Sequence, residues 1–243
     1  ALLWIMGIST GLQLNVSLFE PDISPLAIQG PKSKTLMKRL FGSEIEKLKF
    51  FGVAEFQFLG SNFIISRSGW SKQGGYEIYV NGPKLAETLW DKLFETGYDL
   101  NVRAGCPNLI ERIEGGLLSY GNDMTLANTP FECGFGKFMP RVVANHCIGA
   151  QTLNSNKVRS PSKIIKSLSI DHKERIYCEE PWEIYDIKNE KIGQITSAAY
   201  SPDFQKVVAL GMINTRSIES EQTMYTTINN KKYTIQIEEK PFI

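Results

Sequence analysis

Histidine is scarce in this sequence, and the scarcity excludes several kinds of active site. Only His146 and His172 occur in 243 residues, and neither stands in a metal-ligand pattern such as His-Glu-x-x-His. A Ser/His/Asp or Cys/His nucleophile is therefore disfavoured. The sequence also lacks a Gly-Lys-Ser/Thr phosphate loop, and Gly134-x-Gly136 lacks the third glycine of a dinucleotide fingerprint. Any chemistry must then depend on positioning and electrostatics.

Cysteine is sparse as well. The four cysteines show no Cys-x-x-Cys spacing: Cys106, Cys133, Cys147 and Cys178. Because disulfide scaffolds are small and cysteine-dense, we expect reduced thiols and a cytoplasmic location.

An excess of charge of one sign is also lacking. Lys plus Arg (27) nearly balances Asp plus Glu (26), so no net field attracts nucleic acid or an anionic membrane. No apolar run approaches the roughly 20 residues that span a bilayer. The chain opens on an apolar stretch, residues 1–6, without the basic start and cleavage site of a secretory signal. We expect neither a nucleic-acid nor a membrane partner, and a homodimer stays open.

The first two thirds of the chain alternate strand and helix patterns. The spacing of apolar residues predicts helices over 36–41, 85–94 and 109–118, the last with Pro107 near its start. It predicts strands over 25–29, 53–59 and 62–67 and another from Tyr76, with a turn at Gly60-Ser61.

Beyond a polar, serine-rich segment at 154–166, which is typical of a linker, the pattern changes. Short strands are predicted over 192–200, 206–213, 224–228 and 233–238, with a hairpin turn at Asn229-Asn230. We therefore predict an α+β fold: a domain over 1–155, followed by a small β-barrel or sandwich over 164–243.

Two segments look like parts of a site. In the first, RSGWSKQGGYEIYV (67–80), glycines flank Trp70 and a strand follows. Strand alternation puts Tyr76, Ile78 and Val80 on one face, and Glu77 and Tyr79 on the other. This arrangement is either one wall of a small-ligand pocket or an ordinary hairpin with a polar outer face.

The second segment is CPNLIERIEGGLLSYGND (106–123). Its charged residues Glu111, Arg112 and Glu114 are interpreted first as solvated charges on a helix surface. Tyr120 and Asp123 are interpreted as a turn packed on the core.

At these residues the sequence resembles the family of the glycine-cleavage aminomethyltransferases, and within it a sulfonium-demethylating branch. The similar segments, in family order, are 24–42, 67–80, 105–123, 129–138 and 193–202. Trp70-Ser-Lys-Gln replaces the Tyr-Thr-Gly-Glu of the aminomethyltransferases, as in the demethylating branch. Pro107-Asn108-Leu109 departs from their Ala-Arg-Asp. The resemblance begins part-way through the family's first domain, so we expect roughly a third of that domain to lie upstream of Ala1.

The resemblance implies a folate-binding domain and a C-terminal barrel, arranged as a ring with tetrahydrofolate in a central channel. Glu77 corresponds to the carboxylate that holds the pterin, and Trp70 to an aromatic residue beside the folate. Arg112 and Tyr120 correspond to positions near the tail of the cofactor. Tyr79 and Trp70 are candidates for the substrate side, no metal is implied, and catalytic residues are expected partly upstream.

The implied reaction transfers a methyl group from a small-molecule sulfonium, dimethylsulfoniopropionate, to N5 of tetrahydrofolate. Three alternatives stay open. The first is an aminomethyltransferase of glycine cleavage or another folate-dependent demethylase. The second is a folate-binding protein without activity, and the third is an inactive fragment.

Overall fold

The computed structural model describes residues 1–71, 73–106, 108–220, 223–239 and 241–242, so Lys72 and Pro107 lie outside the described residues. Its helices are α1 (Leu2–Gly11), α2 (Ser33–Phe41), α3 (Pro83–Thr96), α4 (Leu109–Glu114), α5 (Ala150–Leu153), α6 (Asn156–Arg159) and α7 (Thr215–Glu219). Its strands are β1 (Ile23–Gln29), β2 (Val53–Phe58), β3 (Ser61–Ser66), β4 (Gly75–Asn81), β5 (Lys163–Ile170), β6 (Trp182–Tyr185), β7 (Lys191–Ser201), β8 (Lys206–Asn214), β9 (Met224–Ile228) and β10 (Lys231–Glu238).

The chain divides into two compact units. The first comprises residues 1–69 and 73–105, and the second comprises residues 70–72 and 106–243. The domain limits predicted from the sequence, 1–155 and 164–243, stay a prediction.

The first unit is built on a four-stranded antiparallel sheet of order β1-β4-β3-β2. One face is covered by α2 and α3, which bury Leu36, Met37 and Leu89 against Phe63 and Ile78 of the sheet. The core is apolar because both helices carry their apolar residues on one side. The other face of the sheet carries Glu77 and Tyr79, both half-buried, so the predicted alternation along β4 is confirmed.

The β2–β3 hairpin closes one residue earlier than predicted. Phe58 pairs with Ser61, so Leu59 and Gly60 form the loop, with φ of 52° and 71°. Two successive left-handed residues match the right-handed twist of paired strands. Leu59 accepts this conformation because the pairing of both flanking strands imposes it.

The second unit contains a closed barrel of order β10-β5-β8-β7-β6-β9. All four strands predicted in this part of the sequence are present, and Asn229 and Asn230 form the hairpin turn with φ of 50° and 62°. The α+β prediction is confirmed, and of the two predicted forms of the β domain the barrel is the correct one.

Three expectations in this unit are wrong. The segment predicted as a linker, 154–166, contains α6 and the start of β5. Neither β5 nor β6 was predicted, although Pro161 and Pro181 stand just before them. The helix predicted over 109–118 ends at Glu114, where Gly115 and Gly116 close it.

Gly116 ends α4 by a backbone motif that needs a left-handed residue. Its φ is 64°, its N–H donates to the Ile113 carbonyl at 3.0 Å, and the Leu117 N–H donates to the Arg112 carbonyl at 2.8 Å. This is a Schellman motif, which glycine favours because it has no Cβ. A Cβ here would lie 2.8 Å from Pro241 Cγ.

Helix α1 was not predicted, and none of its side chains is buried. Within the described ranges, no helix is both long enough and apolar enough to cross a membrane.

Gly116→Ala should destabilise the protein by about 1–2 kcal/mol, since an L-residue is strained in the left-handed region. Chemical denaturation measures the change. Gly105→Ala is the control, because its added Cβ meets nothing within 4 Å and its φ is not left-handed. Equal stability of the two variants would contradict the strained-cap argument.

Candidate functional site

In the first unit, Glu77 lies at the centre of a small polar cluster on the open face of the sheet. Ala27 and Ser66 lie opposite it on the neighbouring strands. The Glu77 Oε2 atom accepts a hydrogen bond from the Ser68 hydroxyl, whose oxygen lies 2.6 Å from Ser66 Oγ. Among the described residues, no group donates to the second carboxylate oxygen, Oε1. Glu77 therefore keeps acceptor capacity for a ligand.

Gln29 holds the loop that brings Ser68 to Glu77. Its Nε2 donates to the Ser68 carbonyl at 3.1 Å. The amide passes between two glycines: a Cβ would lie 2.0 Å from the Gln29 amide at Gly69 and 2.6 Å from it at Gly75. Sequence reasoning missed this role, although the pattern of glycines around Trp70 and the Gln29-Gly30-Pro31 turn were visible signals.

Tyr79 is half-buried on the same face as Glu77, two residues further along β4. Pro25 and Ile64 flank it on the neighbouring strands. The structure therefore brings the predicted residues Glu77 and Tyr79 together, beside an apolar pair.

In the second unit, Arg112 and Asp123 form a buried ion pair, each 3% exposed. Arg112 Nη1 donates to Asp123 Oδ2 at 2.9 Å and to the Leu117 carbonyl at 3.1 Å, and Nη2 donates to Ser197 Oγ at 2.7 Å. Asp123 also accepts from the Ser119 N–H at 2.8 Å and from the Ser197 and Thr196 hydroxyls, each at 2.7 Å. Such saturation is what makes a buried pair tolerable.

The interpretation of Arg112 and Glu114 as solvated helix charges is therefore wrong. Glu114 is 5% exposed and accepts a hydrogen bond from the Ser201 hydroxyl at 2.6 Å. The reason is that α4 packs against β7 of the barrel, whose Ser197 and Ser201 supply hydroxyl partners. The interpretation of Tyr120 and Asp123 as a turn packed on the core is confirmed for Asp123, which is buried, and is wrong for Tyr120, which is exposed.

A β-bulge in β7 supplies two of these partners. Ile195 pairs with Gly211 and Ser197 with Leu210, so Thr196 is the extra residue. A regular strand would turn successive side chains to opposite faces, whereas the bulge lets both hydroxyls reach Asp123. Thr196 and Ser197 were not predicted as site residues, although they lie within the similar segment 193–202.

Trp70 lies against this ion pair. Its side chain is 41% exposed, and the Arg112 guanidinium carbon lies 5.8 Å from the centre of its ring. That distance is within cation–π range. Tyr120, by contrast, is 65% exposed and makes no side-chain hydrogen bond among the described residues. The structure therefore brings together Trp70 and Arg112 but adds no contact of Tyr120 to them.

Cys133, Cys178 and Ser9 lack the surroundings of an activated nucleophile. Burial raises the pKa of Cys178 to about 11, and burial also raises the pKa of Cys133. Both thiols are therefore protonated at neutral pH. Residues 7–11, Gly-Ile-Ser-Thr-Gly, have the spacing of a serine nucleophile elbow, but they lie inside α1, and Ser9 Oγ donates to the Met6 carbonyl at 2.9 Å. Nor do the described residues group three potential metal ligands.

An α+β unit with an open, carboxylate-bearing sheet face, followed by a closed six-stranded barrel, defines the class of fold. The GCVT N-terminal domain profile matches residues 2–141, and the glycine cleavage T-protein C-terminal barrel domain profile matches residues 165–243. The chain belongs to the glycine cleavage T-protein family.

Two relatives illustrate the range of the family. The chain is 46% identical over 209 residues to the dimethylsulfoniopropionate demethylase DmdA of Ruegeria pomeroyi, covering 86% of this chain and 56% of that protein. It is 29% identical to an aminomethyltransferase of Alkaliphilus metalliredigens, covering 98% of this chain and 64% of that protein. The chain thus spans less than two thirds of the length of either relative.

A solved structure shares the fold. The glycine cleavage system aminomethyltransferase T of Bartonella henselae superposes with a TM-score of 0.72 at 22% identity, covering 98% of this chain and 66% of that one.

Arg112→Ala should destabilise the protein by about 3–5 kcal/mol, because Asp123 would keep a buried charge without its partner. Arg39→Ala is the matched control: it removes an arginine from an exposed ion pair with Asp99, where solvent screening leaves a much smaller loss of stability. Urea denaturation monitored by circular dichroism compares them. If the free energy of unfolding falls by the same small amount in both variants, the Arg112–Asp123 ion pair does not stabilise the unit.

Proposed function

We propose that this protein catalyses the tetrahydrofolate-dependent demethylation of dimethylsulfoniopropionate. The products are 5-methyltetrahydrofolate and 3-(methylthio)propionate. The observation that carries the proposal is the 46% identity, over 86% of this chain, to a protein named as that demethylase. The residues around Glu77 and those around the Arg112–Asp123 ion pair suit this chemistry.

The reaction needs alignment more than activation. The bond between sulfur and the methyl carbon breaks, its electron pair stays on sulfur as a neutral thioether, and the methyl carbon bonds to N5, which loses a proton. The positive sulfur already activates the methyl group, so the main task of the protein is to hold donor and acceptor in line. This requirement suits a chain whose described thiols and histidines form no nucleophilic constellation.

Glu77 suits the recognition of a pterin. A carboxylate accepts parallel N–H bonds from an amino-pyrimidinone edge, and charge makes these bonds strong. The Glu77 Oε1 atom has no donor among the described residues, and Oε2 keeps a second lone pair besides the one that Ser68 engages. Ser68, fixed by Gln29, sets the orientation of the carboxylate. Tetrahydrofolate, when bound here, supplies the accepting nitrogen.

Trp70 suits the cationic donor. An aromatic face attracts a cation by about 0.5–2 kcal/mol, with the larger values in desolvated sites. Tyr79 stays the second candidate for substrate contact. Arg112 and Tyr120 stay proposed neighbours of the cofactor tail, although the guanidinium already makes three internal hydrogen bonds.

An aminomethyl donor is the second candidate. It is favoured by the 29% identity, over nearly the whole chain, to a protein named as an aminomethyltransferase. The Trp70 loop supports the sulfonium instead. The relatives above lend no support to a folate-binding protein without activity.

We also propose a cytoplasmic location and a role in sulfur metabolism. All four cysteines are free thiols, which agrees with a reducing compartment.

Incubation of the purified protein with tetrahydrofolate and dimethylsulfoniopropionate should yield 5-methyltetrahydrofolate and 3-(methylthio)propionate in equal amounts, measured by liquid chromatography with mass spectrometry. A parallel incubation with an aminomethyl-loaded carrier protein tests the second candidate. Absence of both products from a protein that binds folate would overturn the proposed reaction.

Glu77→Ala should weaken tetrahydrofolate binding about ten- to a hundredfold, because hydrogen bonds to a charged group contribute about 1.5–3 kcal/mol. Isothermal titration calorimetry gives the dissociation constant. Glu55→Ala is the matched control, since Glu55 is an exposed carboxylate on β2, opposite Ile64 of the same sheet. Unchanged affinity in Glu77→Ala would refute the pterin assignment.

A further inference from the structure

We propose that Asp123, Thr196 and Ser197 are positioning residues for the Trp70 ring and keep its support electrically neutral toward a cationic substrate. The inference deepens the proposed function and rests on it where the sulfonium is concerned. It assigns roles to three residues that sequence reasoning did not connect with substrate.

The first step is mechanical. Arg112 is the charged group at cation–π distance from Trp70, and its guanidinium plane is set by fixed partners: Asp123 and the Leu117 carbonyl at Nη1, and Ser197 at Nη2. A guanidinium held by three hydrogen bonds in a site that is 3% exposed has little freedom to rotate. The Trp70 ring, which lies at cation–π distance from this guanidinium, is held accordingly.

The second step is electrostatic. A lone guanidinium under Trp70 would repel a sulfonium on the same ring, and burial would strengthen that repulsion. Asp123 cancels the charge at hydrogen-bond distance. The two hydroxyls from the β7 bulge donate to Asp123 Oδ1 and so complete the hydrogen-bond partners of the buried pair.

The third step is topological. The bulge at Thr196 is what brings two consecutive hydroxyls to one carboxylate. Bulges often re-aim side chains beside functional sites. The bulge thereby completes the set of hydrogen-bond partners around Asp123.

The test compares two variants, Ser197→Ala and Asp123→Asn, with the control Asp99→Asn. The control removes the same carboxylate charge as Asp123→Asn, but from the exposed ion pair with Arg39. The first readout needs no substrate. The protein has four tryptophans, so Trp70 emission is obtained as the difference between each protein and its own Trp70→Phe version. Acrylamide quenching of that difference signal should increase in Ser197→Ala and Asp123→Asn and stay at the wild-type value in Asp99→Asn.

The second readout is kinetic. The KM for dimethylsulfoniopropionate should rise about three- to tenfold in Ser197→Ala, the range expected for losing the hydrogen bond that holds Arg112 Nη2. It should rise further in Asp123→Asn, while the dissociation constant of tetrahydrofolate stays within about twofold. In a Trp70→Ala background the same substitutions should no longer change KM, since they act through the ring.

Two results would overturn the inference. One is acrylamide quenching of the Trp70 emission that is unchanged in a folded Ser197→Ala variant. The other is an effect on KM that persists in full in the Trp70→Ala background. Ser197→Ala keeps the ion pair, so the test survives if Asp123→Asn fails to fold. If the wild-type protein transfers no methyl group but the emission changes as expected, the proposed function fails and the positioning role stands.

Discussion

The second unit depends on one buried ion pair. Arg112 comes from α4, Asp123 from the turn after it, and their hydroxyl partners from β7 of the barrel, so one charge pair joins three parts of the chain. Burying two charges is costly, and only a complete set of partners makes it tolerable. The short helix, its Gly115-Gly116 end, the turn at 119–123 and the β7 bulge are each needed for that set. These four features therefore depend on one another through the ion pair.

The first unit meets a different constraint. A four-stranded sheet must cover at least one face with apolar residues, and α2 and α3 do this. The other face is then available for polar groups, and the alternation of strand side chains places Glu77 and Tyr79 there. Glu77 is not simply exposed, however. Its orientation depends on Ser68, which in turn depends on the Gln29 amide lying between two glycines. The carboxylate is thus fixed before any ligand arrives.

The family relationship accounts for the fold, and the residues around Trp70 bear on the choice of donor. At 22% identity, the aminomethyltransferase T of Bartonella henselae retains the fold, which shows that the pattern of buried positions tolerates wide substitution. We propose that Trp70 helps to distinguish a sulfonium donor from an aminomethyl donor. Its ring lies at cation–π distance from Arg112 of the buried ion pair, so under this proposal stability and donor choice share residues. A substitution in the pair would then affect both properties, which is why a separate spectroscopic readout of Trp70 is informative.

Local patterns in the sequence determined much of this protein. Helical spacing predicted α2 and α3, alternation predicted the two faces of β4, and Asn229-Asn230 predicted a hairpin, because each feature is decided by neighbours within a few residues. Glycine spacing and strand alternation singled out Trp70 and Glu77, and a family resemblance carried by contiguous segments suggested their roles. Only the tertiary structure decided that Arg112 and Glu114 are buried and that Thr196 forms a bulge. Arg112 and Ser197 lie 85 residues apart along the chain, and Asp123 and Ser197 lie 74 apart. A charged side chain on a helix looks the same in sequence whether water or a barrel strand faces it, and only long-range packing chooses between them.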